Sequence, residues 1–282
     1  MLRVLLPTDF SDNSLDAIRY GLQLLKDQTC TFFLLHTYTP AIYRTEYVLH
    51  SPGQIGLGDI YQTDSMTQLE GVQQRLTEEF RNPIHSFVCL TAFNTLLDEV
   101  REISENEQID LIIMGTQGAS GAKEIFLGTH TVHVIKRSNV PVLAIPPGCS
   151  FVPPRKILFP TDFEIDYGTD QLEPLLNIAR LHESMLDVLY ISYGYDLSEA
   201  QMANQEKLGS MLQVVPHRFH DLPNQTVIQG INSFQDKNKS DFLVMIRNKH
   251  TFVERLFIEP VIKKIGFHVT IPFLVLPFRQ NS

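Results

Sequence analysis

Asp110-Leu111-Ile112-Ile113-Met114 runs straight into Gly115-Thr116-Gln117-Gly118, and after nine more residues the chain reaches Gly128-Thr129-His130. The apolar run behind Asp110 has the pattern of a strand covered on both faces. Gly115, Gly118, Gly121 and Gly128 let the backbone take positive φ and approach a bulky group closely. A helix is predicted over 129–137, and the free N–H groups of its first turn would welcome an anion. The Thr129 hydroxyl can cap that helix or donate to a phosphate. This is neither a Walker loop nor the dinucleotide fingerprint, both of which hold their glycines closer together. A flexible loop would show the same spacing, so the surroundings must decide.

Outward from this loop the chain repeats itself. Val4-Leu5-Leu6-Pro7-Thr8-Asp9-Phe10 returns 153 positions later as Ile157-Leu158-Phe159-Pro160-Thr161-Asp162-Phe163. Asp110–Met114 returns 131 positions later as Asp241-Phe242-Leu243-Val244-Met245, and Val140–Pro146 returns as Ile271–Pro277 at the same offset. The drop in offset puts an extra segment in the first half, around residues 40–65. Near the junction, Pro146-Pro147-Gly148-Cys149-Ser150-Phe151-Val152-Pro153-Pro154 reads as a stiff, exposed linker. The expected division is a domain over 1–147, a linker over 148–154 and a domain over 155–282. A length of 282 residues suits two such domains.

In the first half, strands are predicted at 3–6, 31–36, 86–90, 111–114 and 140–145. Helices are predicted after Ser11 and over 64–80, 95–106 and 129–137. The second half repeats the scheme, with strands near 157, 187, 217, 242 and 272 and Pro174 in the first turn of its first helix. Strands alternating with helices predict an α/β fold, a parallel sheet with helices on both faces in each half. Ligands of such sheets bind at the carboxyl ends of strands, where the strand order reverses. That singles out Thr8-Asp9, His36-Thr37 and the loop after Met114.

Hydrophobic residues make up 43% of the chain, enough for a core in each half, and the formal net charge is −9. An acidic chain is repelled by nucleic acid and by anionic membranes, so neither is expected as a partner. No apolar run approaches the roughly 18 residues of a membrane span. Met1–Asp9 reads as a strand, not a signal peptide. Cys30, Cys89 and Cys149 are few, odd in number and far apart, which fits a reducing cytoplasm. His130 and His133 share a helix face but lack a third ligand at metal spacing, so no metal site is assigned. No Ser-His-Asp or Cys-His arrangement and no close carboxylate pair stands out, and no catalytic residue is assigned. Lys123 inside the loop reads equally as a mobile cation for a γ-phosphate and as a solvated lysine.

The Gly115, Gly118, Gly128-Thr129 spacing behind Asp110–Met114 resembles the ATP motif of the universal stress protein family. Pro7-Thr8-Asp9-Phe10-Ser11 resembles that family's first-strand motif, Leu34-Leu35-His36 its second-strand end, and Val140-Pro141-Val142-Leu143 its last strand. The resemblance covers nearly the whole chain, with the 40–65 segment as its weak part. It implies two tandem, doubly wound, five-stranded parallel sheets of strand order 3-2-1-4-5. It also implies an ATP site in the first half, with Mg²⁺ able to accompany the nucleotide. Asp9 would face the adenosine, with Pro7 and Thr8 beside it. Thr37 and Met114 would lie near the adenine. Gly115, Gly118, Gly128 and Thr129 would hold ribose and phosphates, with the main chain at Gln117 and His130 close by. Some members of the family bind ATP and others do not, and the intact motif separates them.

The second half carries Ile246, Lys249, Glu259 and Pro260 where the first has Gly115, Gly118, Gly128 and Thr129. A β-branched side chain, a carboxylate and a missing N–H each weaken a phosphate site, so no nucleotide is expected there. Asp162 alone reads as a turn or capping residue. The leading expectation is a nucleotide-binding stress-response protein. Slow ATP hydrolysis or phosphoryl transfer is the alternative, though no water-positioning base or arginine finger is evident near the loop. A nucleotide-independent scaffold is the other. Family domains often pair through their last strands, and a tandem chain could make that pairing internally as a pseudo-dimer. Homodimerisation and an unidentified protein partner stay open.

Overall fold

Short apolar runs alternate with amphipathic stretches along the chain, and the runs form strands while the stretches form helices. The computed structural model describes residues 1–38, 57–116, 128–192, 194, 196–247 and 270–278. The first half contains β1 (Leu2–Pro7), α1 (Asp12–Leu24), β2 (Cys30–Thr37), α2 (Leu57–Phe80), β3 (His85–Ala92), α3 (Leu96–Asn106), β4 (Leu111–Gly115), α4 (Thr129–Arg137) and β5 (Val142–Ile145). The second contains β6 (Lys156–Thr161), α5 (Thr169–Leu181), β7 (Met185–Ser192), α6 (Glu199–Leu212), β8 (His217–Pro223), α7 (Val227–Asn238), β9 (Phe242–Arg247) and β10 (Phe273–Pro277).

The strands form one sheet of ten in the order β3-β2-β1-β4-β5-β10-β9-β6-β7-β8. Each half is a parallel five-stranded unit of order 3-2-1-4-5, as expected. The halves meet where β5 pairs with β10 in antiparallel register, Leu143 opposite Leu274 and Val142 opposite Val275. Each half thereby covers the strand edge that the other would expose. Two apolar layers, one on each face, run through both halves. Val4, Leu5, Leu6, Ile112 and Ile113 in the central strands are fully buried. The end strands β3 and β8 are only partly buried and mix exposed with covered positions.

Side chains also cross between the halves. His182 Nε2, at the end of α5, donates to Leu24 O at the end of α1 over 2.9 Å. The Arg247 guanidinium, at the end of β9, donates to Ile135 O and Ser138 O at the end of α4.

Two local expectations change. α2 begins at Leu57, earlier than the predicted 64; Ile60 and Tyr61 in its first turns are exposed, and its buried stripe is Leu69, Val72 and Leu76. Pro174 lies inside α5, not in its first turn, because α5 opens at Thr169. The N-cap there is Gly168, which offers no side-chain signal of a helix start. Proline at that depth withdraws one helical hydrogen bond. Among the described residues, no helix is long and apolar enough to cross a membrane.

Candidate functional site

The site is built first by the turn that ends β1. Thr8 Oγ1 accepts from Phe10 N at 3.0 Å, and Asp9 Oδ1 accepts from Ser11 N at 3.1 Å and from the Ser11 hydroxyl at 2.5 Å. Ser11 then caps α1 by accepting from Ser14 N. The buried Thr8 and Ser14 hydroxyls lie 2.9 Å apart. These bonds hold Phe10 at φ 63°, a left-handed backbone that few non-glycine residues adopt. Its ring packs on His36 with centroids 4.5 Å apart.

The second part is the junction of β4 with α4. A Cβ on Gly115 would stand 2.2 Å from Asn13 Nδ2, so a side chain there would require Asn13 to shift. Thr116 N donates to Ile145 O, and its own carbonyl accepts from Gly128 N at 2.5 Å. The chain thus leaves the sheet and returns to it at one residue. Thr131 Oγ1 donates to Gly115 O at 2.8 Å and ties the first turn of α4 to the end of β4. α1 and α3 have side-chain caps from Ser11 and Thr95. The α4 N-cap is Gly128, which provides none, and no acidic residue sits in the first turn. The first-turn amides of a helix have no intrahelical partner, so those of α4 suit an anionic ligand.

A cleft of about 860 Å³ opens at the carboxyl ends of β1, β2 and β4, against α4 and the start of α3. It lies at the reversal of strand order between β1 and β4, the place where open α/β sheets bind ligands. Pro7, Thr8, Asp9, Thr37, Met114, Gly115, Gly128, Thr129 and His130 all line it. Gln117 and Gly118, with Lys123, lie outside the described residues.

The cleft has further walls that the motif did not name, among them Ser14, Asn94, Thr95, Asp98 and Arg137. Asn94-Thr95 before Leu96, with Asp98 three residues after Thr95, is a helix-start signature. It could have pointed to a second helix N-terminus at the same strand ends. His36 also lines the cleft, and its Nδ1 lies 2.7 Å from the Ser65 hydroxyl. Burial pushes the His36 pKa below its usual 6.5, with Asp9 opposing in part, which favours the neutral ring. Among the described residues, no group of three His, Cys, Asp or Glu side chains could hold a metal ion.

The second half builds the same turn at the same place. Thr161 Oγ1 accepts from Phe163 N, Asp162 Oδ1 accepts from Glu164 N, and Phe163 has φ 56°. Its interior differs. Ser14 is replaced by Tyr167, fully buried with its hydroxyl bonded to Thr161 Oγ1. Gly115 is replaced by buried Ile246. Phe163 is fully buried and stacks on Tyr190 at 5.4 Å. Tyr167, Phe163 and Ile246 are thus buried side chains at places that line the cleft or its turn in the first half. Lys249, Glu259 and Pro260 lie outside the described residues.

Residues 1–146 match the sequence profile of the universal stress protein family. A universal stress protein of Methanocaldococcus jannaschii is 30% identical over 155 residues, an alignment covering 51% of this chain and 93% of that protein. A second from the same organism is 26% identical over 144 residues, covering 51% of this chain and 81% of that protein. The crystal structure of a universal stress protein from Archaeoglobus fulgidus superposes with a TM-score of 0.72 at 18% identity, covering 99% of this chain and 97% of that one. That likeness extends the shared fold across both halves. With the profile match over more than half its length, the chain belongs to the universal stress protein family.

Proposed function

We propose that the chain is a stress-response protein that binds an adenine nucleotide, ATP in the first place, in the cleft of its first half. The observation that carries this reading is the meeting of nine motif residues, Pro7 to His130, around one cleft that ends on the uncapped first turn of α4. The volume falls within the usual range of small-molecule sites. Asp9 and the strand ends at Thr37 and Met114 suit the nucleoside. The α4 amides and the Thr129 hydroxyl suit phosphates. Mg²⁺ would arrive with the phosphates, since magnesium keeps few protein ligands.

The second half serves structure in this reading. It pairs β10 with β5 and buries Tyr167, Phe163 and Ile246 near its own strand ends. Residues 148–154 would join the two domains.

Mass spectrometry of small molecules released from the denatured protein tests the proposal. Adenine nucleotide at about one per chain supports it, as does a raised melting temperature with ATP and Mg²⁺ that Gly118→Glu removes. Purified chain with no nucleotide and no thermal response to ATP would sink it.

A further inference from the structure

α4 is held at both ends. Thr131 in its first turn donates to Gly115 O at 2.8 Å. At its last turn and C-cap, Arg247 Nη1 donates to Ile135 O at 2.6 Å and Arg247 Nη2 donates to Ser138 O at 3.0 Å. Arg247 belongs to the second half, where it ends β9. The last carbonyls of a helix lack intrahelical donors, and the negative end of its dipole gathers there. A guanidinium fork answers both needs at once. The repeat counterpart of Arg247, 131 positions earlier, is the buried Thr116. Threonine offers no cation to a helix end, so at this position only the second half reaches across.

The geometry points to Arg247 as a positioning residue for the first-half cleft. It fixes the far end of α4 and so sets where that helix presents its first-turn amides. α4 has nine residues and is only about 13 Å long, so its anchored end lies close to its first-turn amides. The two carbonyls that Arg247 holds flank Arg137, which itself lines the cleft. The half that lacks the loop glycines thus tunes the ligand affinity of the half that has them. This inference rests on reading the cleft as a nucleotide site, and it concerns the phosphate end of that site. Loss of the fork should weaken a ligand with phosphates and spare one without.

The test compares Arg247→Ala and Arg247→Lys with the unaltered full-length chain. ATP with Mg²⁺ and adenosine are titrated by calorimetry, and hydrogen exchange of the α4 amides is followed without ligand. Arg247→Ala is expected to speed α4 exchange and to weaken ATP about three- to tenfold, with adenosine nearly unchanged. Lysine keeps the charge but not the fork, so Arg247→Lys should recover part of the loss. Unchanged α4 exchange in a folded Arg247→Ala chain would overturn the proposal. So would faster exchange with unchanged ATP affinity, or equal losses for ATP and adenosine, which would signal general loosening. If Arg247→Ala fails to fold, the same readouts on Arg247→Lys decide. An unaltered chain that binds neither ATP nor adenosine overturns the reading of the cleft and the affinity part of this proposal. The exchange data then judge the anchoring part alone.

Discussion

Ser14 and Tyr167 occupy one position in the repeat, 153 residues apart, and each bonds the threonine at the end of its own half's first strand. In the first half the pair is Ser14 with Thr8, hydroxyls 2.9 Å apart, at the wall of the cleft. In the second half it is Tyr167 with Thr161, and the tyrosine ring is fully buried. One turn geometry therefore serves an open space in one half and a packed core in the other.

Replacing Tyr167 tests that contrast. Tyr167→Ala removes a buried ring and should cost about 3–5 kcal/mol. Tyr167→Phe leaves the Thr161 hydroxyl without this partner and should cost about 1–2 kcal/mol. Urea melts of the two variants read these losses, and ATP affinity of the first half should hold in both. A Tyr167→Ala chain as stable as the original would show that the ring does not fill the core.

A side chain at Gly115 would need Asn13 to shift. Gly115→Ala would bring its Cβ to 2.2 Å from Asn13 Nδ2 and 3.0 Å from Asn13 O. Overpacking of this kind typically costs about 1–3 kcal/mol. Thermal melting should show the loss, and ATP titration a weaker site, because the end of β4 is displaced. An unchanged melting temperature would mean that Asn13 moves aside freely.

Acid should weaken the fold. Burial, the leading cause in each case, holds the pKa values of His36, His85 and His182 below the ordinary 6.5. For His182, its bond to Leu24 O and Asp27 push the other way, while Arg155 and Lys26 add to the lowering. As pH falls past 6.5 the unfolded chain takes up protons that the folded chain refuses, so stability rises with pH across that window. These contributions are complete above about pH 6.5 and are lost as pH falls toward the lowered values. Melting temperatures from pH 7.5 to 5.5 should fall. His182→Gln keeps a donor for Leu24 without titrating and should flatten part of that fall. A flat profile in the unaltered chain would contradict this account.

The join between halves should be a point of cooperative weakness. Leu143 and Leu274 face each other across β5 and β10, and both are fully buried. Leu274→Asp sets an unpaired charge in that seam, at a cost of several kcal/mol. A urea transition that is single in the unaltered chain should split in two. Unfolding that stays single and unshifted would mean that the seam contributes little.

The sequence made the strand ends legible because their signals are local. Apolar runs at Val4–Leu6 and Leu111–Met114 stop at Pro7-Thr8-Asp9 and Gly115, and the structure gathers those stops into one cleft. What joins the halves was not legible in the same way. Val142–Ile145 and Phe273–Pro277 are apolar at nearly every position, so no alternation sets a pairing register. Tyr167 has no local mark of its role, since it precedes a helix capped by plain Gly168. Arg247 reads as a strand-end cation, and its partners Ile135 and Ser138 lie more than a hundred residues away. Ile60 and Tyr61 in the first turns of α2 stay exposed, so no buried face marks where that helix starts.

Calorimetric titration of the full-length chain with ATP and Mg²⁺ tests the central claim most directly. The account predicts one site per chain, lost in Gly118→Glu and retained in Tyr167→Phe. Two sites per chain, or one that survives Gly118→Glu, would contradict it, and so would no binding at all.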